Sequence, residues 1–395
     1  MKEQKLIIAK NIYSPSLGLI KDGAILIENG KIKSVDKLNN IKKGKNVEEY
    51  DFSKLNIFPG FIEGHGHITI CGEGTGSICD DSNDYYAPIL PHLRIKDSIN
   101  LDTPELKYAR NEGILAVSLF PGSADLIGGI GTIIKTTYDS FIVEEAIIKD
   151  EIGLKMAFGE NPKRVFASEK KFYTRMGAMG FLREYFTSVL NYKKKKEKKE
   201  SKKKEKQTSP DIDLKYEIGL KLLNKEFPAR AHAHQANDIQ NAIKLSEEFG
   251  FDLVIEHGTE SDLIIDYIKE KNIPIVVGPI LNPGLKIETR RRKAQTPARL
   301  SQKGILTILS TDAPVYNISL LRTLTGICIK WGMDYWEALK SITINPARIC
   351  KIDDRYGDIK PGLEPHFVVW EGDPLKDIQA YVIKIFDNEK ILDVN

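Results

Sequence analysis

Four of the seven histidines in this 395-residue chain occupy two His-x-His pairs, His65-Gly66-His67 and His232-Ala233-His234, and each pair closes a short apolar run. Residues i and i+2 of a β-strand point to the same side, so each pair puts two imidazoles on one face at a strand's end. Two further runs end in the same kind of residue. Leu253-Val254-Ile255-Glu256 closes on His257, and Ile305-Leu306-Thr307-Ile308-Leu309-Ser310-Thr311 closes on Asp312. Imidazole and carboxylate suit zinc, iron and similar divalent metals. A lone histidine at a strand end is usually structural. His65, His67, His232, His257 and Asp312, all ending strand-like runs, predict a metal centre and hence an enzyme.

After residue 55 the pattern alternates strand and helix, which argues for a parallel α/β fold. Eight strands are predicted, at 57–68, 114–120, 131–137, 154–159, 230–235, 253–257, 274–278 and 306–311. Helical patterns lie between them, such as 237–249 with Ile239, Ala242, Ile243 and Leu245 on one face, and 262–271 with Leu263, Ile264, Tyr267 and Ile268. The spacing fits a (β/α)8 TIM-like barrel. His232 and His257 are 25 residues apart, one β/α unit, and His257 and Asp312 are 55 apart, two such units. The 165 residues from His67 to His232 exceed four units, so insertions are expected at the polar loop 72–102 and in the Lys-rich segment ending near Pro210. On strands one, five, six and eight of a barrel, the metal-type side chains converge at the C-terminal rim, where active sites of this fold are built. A doubly wound open sheet would scatter them.

The two ends read differently. Strand-like runs at the N-terminus flank an Asn29-Gly30 turn, a strong hairpin signal, and the C-terminus carries His366-Phe367-Val368-Val369-Trp370 and Val382-Ile383-Lys384-Ile385-Phe386. Neither end has enough strands for a stable sheet alone. Together they predict one small β-sandwich built from both termini: residues 1–55 and 351–395 form it, and 56–350 form the barrel, with a Lys-rich insertion at 193–206.

Composition excludes several classes. A hydrophobic content of 41% and a charged content of 29% are ordinary for a soluble globular protein. No apolar stretch approaches a membrane span, and the N-terminus lacks the features of a secretory signal. Four cysteines without a Cys-x-x-Cys motif (Cys71, Cys79, Cys328, Cys350) fit reduced thiols and a cytoplasmic location. The net charge of +3 is local in origin. Residues 193–206 hold ten lysines and three glutamates, so the rest of the chain carries four net negative charges. The run lacks the aromatic or polar readers of a nucleic-acid surface, so a solvated insertion is expected, with neither nucleic acid nor membrane as partner.

These motifs together resemble the amidohydrolase superfamily, specifically its imidazolonepropionase-related group. The resemblance runs through Phe58-Pro59-Gly60-Phe61-Ile62-Glu63-Gly64-His65-Gly66-His67, His232-Ala233-His234, Ile255-Glu256-His257-Gly258-Thr259, Ser310-Thr311-Asp312 and Thr343-Ile344-Asn345-Pro346-Ala347-Arg348. It implies one or two divalent ions (zinc foremost, with iron and manganese as alternatives) and hydrolysis of an amide, cyclic amide or amidine C–N bond of a small molecule by metal-activated water. By motif, His65 and His67 bind the more buried ion with Asp312. His232 and His257 serve a second ion, or the substrate of a one-metal enzyme, and His234 is placed further out, towards substrate. Asp312 moves the water's proton, and His257 or His234 hydrogen-bonds the developing oxyanion. Binuclear relatives bridge their ions with a carboxylated lysine or a glutamate, and Lys155 and Glu160 are the candidates. Their odd separation lets at most one face inward in a regular strand.

The chain departs from the common pattern at Glu63, where many members have Asp, and at Gly66; neither position is a ligand. Among basic residues near the rim, Arg164 is a candidate for a substrate carboxylate, since a guanidinium matches that group bidentately. The rival readings are a prolidase-like dipeptidase of the same superfamily and, from another class, a non-catalytic barrel scaffold. A small-molecule substrate and a homo-oligomer are the expected partners.

Overall fold

The computed structural model describes residues 4–71, 80–138, 140–202, 212–281, 286–388 and 390–394. Cys79, part of the 72–102 loop and lysines 203, 204 and 206 lie outside the described residues. Strands β1 (Gln4–Ser14), β2 (Gly18–Glu28), β3 (Lys31–Lys37) and β4 (Glu48–Pro59) come first. The barrel strands follow: β5 (Phe61–Gly66), β6 (Ile114–Leu119), β7 (Ile127–Lys135), β8 (Ile147–Ala157), β9 (Ala229–Ala233), β10 (Leu253–His257), β11 (Ile275–Val277) and β12 (Thr307–Leu309). The chain closes with β13 (His366–Glu371), β14 (Tyr381–Asp387) and β15 (Lys390–Asp393).

The two ends of the chain meet. In hydrogen-bonding terms the expected sandwich is one continuous seven-stranded sheet, in the order β15-β14-β13-β4-β1-β2-β3. Ile7, Ile25, Ile27, Ile57, Phe367, Val369 and Phe386 form a buried cluster within it, which is how alternating apolar positions from both termini share one core. The Asn29-Gly30 turn joins β2 to β3, pairing Glu28 with Lys31. Asn29 (φ 54) and Gly30 (φ 72) are both left-handed, as a two-residue hairpin of matching twist requires.

Strands β5 to β12 lie side by side in sequence order in an eight-stranded sheet that nearly closes into a barrel. The seam between β5 and β12 is sealed by side chains. Thr311 donates its backbone N–H (3.0 Å) and its hydroxyl (2.6 Å) to Glu63, and Ser310 Oγ donates to the His65 carbonyl (2.7 Å). Burial pushes the Glu63 carboxyl up to about 7, against the pull of its Thr311 hydrogen bonds.

One strand departs from the regular (β/α)8 pattern. β7 runs antiparallel to both β6 and β8. A parallel neighbour needs a crossover of a dozen or more residues, and only residues 120–126 separate β6 from β7. The strand therefore turns back, and its N-terminal end, not its C-terminal end, lies at the rim.

The helix Ala236–Phe249 buries Ile239, Ala242, Ile243 and Leu245, as its period predicts, and stops at left-handed Gly250. The expected helix 262–271 is shorter, Ile265–Glu270, after a 3-10 turn. The Lys-rich run continues the helix Arg175–Lys202. The first half of that helix buries Leu182, Phe186 and Val189, an i, i+4, i+7 stripe. Beyond Tyr192 the side chains of 193–198 are exposed except half-buried Lys196, which pairs with Glu217 (2.6 Å). Replacing 193–206 by a short Gly/Ser linker should therefore leave metal content and turnover near the parent values. A hundredfold loss of activity in a folded variant would place this segment in the reaction.

Candidate metal centre

Every metal-type residue singled out above sits at the same end of the barrel. His65 lies on β5 with His67 one step beyond it, His232 lies on β9 with His234 one step beyond, His257 ends β10, and Asp312 follows β12 by three residues. His257 (φ 71) and Asp312 (φ 55) are left-handed, a conformation uncommon for residues other than glycine. Such positions cost on the order of 1–3 kcal/mol and persist where the surroundings over-determine them. Here the Nδ1 of His257 binds the Gly278 carbonyl (2.7 Å), and the Asp312 N–H donates to Ser310 Oγ (2.9 Å).

The side chains form two adjoining clusters, His65/His67/Asp312 and His232/His234/His257, each with potential ligand atoms within 4.8 Å of one another. The His232 and His257 rings are 4.5 Å apart between centroids, and those of His65 and His257 5.4 Å. His67 Nδ1 meets the Phe120 carbonyl at 2.8 Å. A carbonyl only accepts, so His67 and His257 carry their protons on Nδ1, and their Nε2 lone pairs are left for another partner. His67 Nε2 lies 3.4 Å and His65 Nε2 3.8 Å from the same oxygen of Asp312.

The site fits a cation. Among the described residues, Asp312 Oδ1 and both ring nitrogens of His232 are buried without a hydrogen-bond partner, whereas buried polar atoms are normally bonded. Burial, the largest cause, holds His65, His232 and His234 well below the usual histidine range and lowers His257 as well. Neutral imidazole is the form that ligates. Burial pushes the Asp312 carboxyl up, but His257 and His67 outweigh it and hold the group well below the usual carboxylate range.

Two charged residues not singled out from the sequence brace this centre. Arg230 Nε donates to Glu256, its Nη2 donates to the Gly64 carbonyl (2.9 Å), and its guanidinium lies 4.3 Å from the Phe120 ring centre. The other oxygen of Glu256 is 3.2 Å from His65 Nδ1, and His65 stacks on Phe120 at 5.4 Å. Arg230 thus fixes Glu256, whose second oxygen is placed beside the His65 ring. A signal was available: Arg230 sits two residues before His232, on the same face of an otherwise apolar strand. Removing one partner of a buried ion pair costs about 3–5 kcal/mol, so Arg230→Ala should lower unfolding stability by about that amount. A urea midpoint equal to that of the parent would show that the pair is not a stabilising unit.

Of the two candidate bridging residues, Lys155 is buried on β8 with its Nζ 3.1 Å from His65 Nε2. Burial pushes its amine down to about 8, against the opposing pull of Glu256 and Asp312. Glu160 opens the helix Glu160–Ser168, and its backbone N–H donates to Glu288 (2.9 Å). His234, expected further out by its position past the strand end, has a potential ligand atom within 4.8 Å of those of His232 and His257 and bonds Thr259 Oγ1 through Nδ1 (2.7 Å). The left-handed turn at His257 brings that ring back towards His234. Arg164 is exposed on the helix Glu160–Ser168 and does not line the cavity. The cations that do are Lys286 and Arg292, from the segment after β11. The cavity holds about 410 Å³ and is lined also by His67, His232, His257 and Asp312.

Comparison with known proteins agrees with this architecture. The model of the amidohydrolase family matches residues 223–394. The crystal structure of an amidohydrolase from Thermotoga maritima MSB8 superposes with a TM-score of 0.92 at 39% identity, covering 99% of this chain and 100% of that one. The imidazolonepropionase of Picrophilus torridus is 22% identical over 91% of this chain and 88% of its own length. The amidohydrolase tasK of Hapsidospora irregularis is 25% identical over 89% of this chain, which spans only 38% of that relative. With 39% identity across essentially the whole chain and histidine and aspartate clusters at the barrel rim, this chain belongs to the amidohydrolase family.

Proposed function

We propose that this chain is a metal-dependent hydrolase of a C–N bond in a small amide, cyclic amide or amidine. The observation that carries the reading is the pair of adjoining clusters, His65/His67/Asp312 and His232/His234/His257, opening on one cavity of about 410 Å³. His65, His67 and Asp312 hold one divalent ion, and His232 and His257 hold a second, with zinc favoured by the imidazole-rich set. Bound there, a divalent ion would lower the pKa of water towards about 7 and polarise the scissile group.

The protein's own groups do the rest. Asp312 takes the attacking water's proton and returns it to the leaving nitrogen. His234 hydrogen-bonds the oxygen on which negative charge develops; His257, whose Nδ1–H is taken by the Gly278 carbonyl, has no proton left to donate there. Lys155, whose neutral amine could add carbon dioxide with loss of a proton to give a carbamate, would offer a carboxylate beside the two clusters in place of Glu160. Residues 56–350 carry the reaction, and the terminal segments 1–55 and 351–395 brace the barrel. Among the described residues no helix is long and apolar enough to cross a membrane; the cytoplasm is the proposed location, and a small molecule, not nucleic acid, the partner.

Lys286 and Arg292 on the cavity wall favour a substrate with an acidic end. That property is shared by acid-bearing cyclic amides and by dipeptides, so a prolidase-like dipeptidase is the second reading. The test is elemental analysis of freshly purified protein, followed by a panel of cyclic amides and dipeptides with the native metal restored. Hydrolysis of a cyclic amide that stops on chelation supports the first reading, and turnover of dipeptides alone supports the second. A metal-free protein inert towards both would leave the non-catalytic scaffold.

A further inference from the structure

His232 and Glu288 face one another across a buried gap that neither fills. His232 Nε2 and Glu288 Oε1 are 3.9 Å apart. Both residues are almost fully buried, and neither of these atoms, nor His232 Nδ1, has a hydrogen-bond partner among the described residues. Three orphaned polar atoms on two buried side chains are a departure from the normal pairing of such groups.

Glu288 is held in place from a different part of the barrel. Its other oxygen accepts the Glu160 N–H (2.9 Å) at the start of the nine-residue helix Glu160–Ser168, where a carboxylate is favoured by the helix dipole. The residue before that helix is Gly159, with φ 91. A Cβ there would lie 3.0 Å from Glu288 Oε2 and 2.8 Å from Asp238 Oδ2, so a side chain would displace the carboxylate. Nearby, Lys286 Nζ donates to Asn161 (2.7 Å), tying the segment after β11 to the same helix. Glu288 is thus clamped with one oxygen occupied and one aimed at His232.

We infer that Glu288 is the positioning carboxylate of His232: with a divalent ion bound, Glu288 Oε1 accepts the Nε2–H of His232, which leaves Nδ1 as the ligand atom. This rests on the reading of His232 as a metal residue given above. A metal-bound imidazole ordinarily donates its remaining N–H to a carboxylate, carbonyl or water, which fixes ring and tautomer. His67 and His257 meet carbonyls in this way. His232 has no such carbonyl, and Glu288 is the acceptor in its place. Closing the gap from 3.9 Å to hydrogen-bond length needs a movement of about 1 Å, since a charge-assisted N–H···O bond spans about 2.7–2.9 Å.

The test uses the full chain. Metal-free protein is titrated with Zn²⁺ against a chelating dye, and nitrogen-15 histidine NMR of the zinc-loaded protein, assigned with His232→Gln, shows which ring nitrogen carries the proton. The expected result is zinc at Nδ1 and a hydrogen-bonded proton at Nε2 of His232. Glu288→Ala should weaken one zinc about 10–100-fold and leave the other unchanged. Glu288→Gln keeps the shape but only one acceptor oxygen, which cannot serve both the Glu160 N–H and the His232 Nε2–H, so it should also weaken that zinc and shift the Nε2–H resonance; it carries the test if the alanine variant does not fold. Zinc at Nε2 of His232, or wild-type affinity for both ions in Glu288→Ala, overturns the inference. Uptake of one zinc that leaves the His232 resonances unmoved overturns it while leaving a one-metal hydrolase standing. A wild type that binds no zinc or other divalent ion overturns the metal reading itself, and the inference with it.

Discussion

Asp312→Asn is expected to fold, to retain part of its metal and to lose catalysis by about 10²–10⁴-fold, the usual contribution of general acid–base assistance. Asparagine has nearly the shape of aspartate and still offers one oxygen, but it cannot accept a proton as the carboxylate does. The surroundings favour the upper end of that range. Asp312 Oδ1 is the oxygen that both His65 Nε2 (3.8 Å) and His67 Nε2 (3.4 Å) approach, so an amide placed there also weakens the grip on the ion. The measurement is kcat on a substrate found by screening, with metal content determined on the same preparation. A variant that keeps more than a tenth of the parent kcat would remove Asp312 as the proton carrier and leave the barrel and the metal site standing.

His65→Ala is expected to strip metal and activity together, and His67→Ala to do the same. Each removes one of very few donors from its cluster. The His65 variant also removes the ring nitrogen that lies 3.2 Å from one Glu256 oxygen, while Arg230 stays on the other. His65→Ala should therefore lose more folding stability than His67→Ala, whose half-buried ring meets the Phe120 carbonyl and Asp312. Elemental analysis showing parent metal content in both variants would overturn the assignment of this pair. Equal unfolding midpoints for the two would overturn the role given to Glu256.

The rim position of the histidines was legible because it depends on local properties alone. A strand alternates with period two, so His-x-His at the end of an apolar run puts both rings on one face before any tertiary contact is known. The Asn29-Gly30 hairpin and the buried face of Ala236–Phe249 were legible for the same reason: turn chemistry and helical period act over a few residues. The reversal of β7 was not legible in this way, since the sequence pattern predicts parallel strands at 114–120 and 131–137. β7 begins earlier, at Ile127, and leaves only seven residues after β6, too few for a parallel crossover.

The supports of the site depend on contacts between distant segments, and only the tertiary structure decided them. The Glu63–Thr311 bonds that seal the barrel join residues 248 apart, and the Arg230 bond to the Gly64 carbonyl joins residues 166 apart. No periodicity reports such a pairing, because it exists only once β5 and β12 are brought edge to edge. The choice between Lys155 and Glu160 as the inward side chain was of the same kind: parity allowed one of them, and the end of β8 at Ala157, with a helix beginning at Glu160, put Lys155 beside His65. Arg164 and Lys286 are both cationic, and each follows a predicted strand in sequence. Helix packing exposes the first, and the path of the chain after β11 carries the second to the cavity wall. Ligand chemistry is a property of residue type and strand parity, which a sequence carries. Which charges surround those ligands is a property of barrel closure, which sets the distance between segments far apart in the chain.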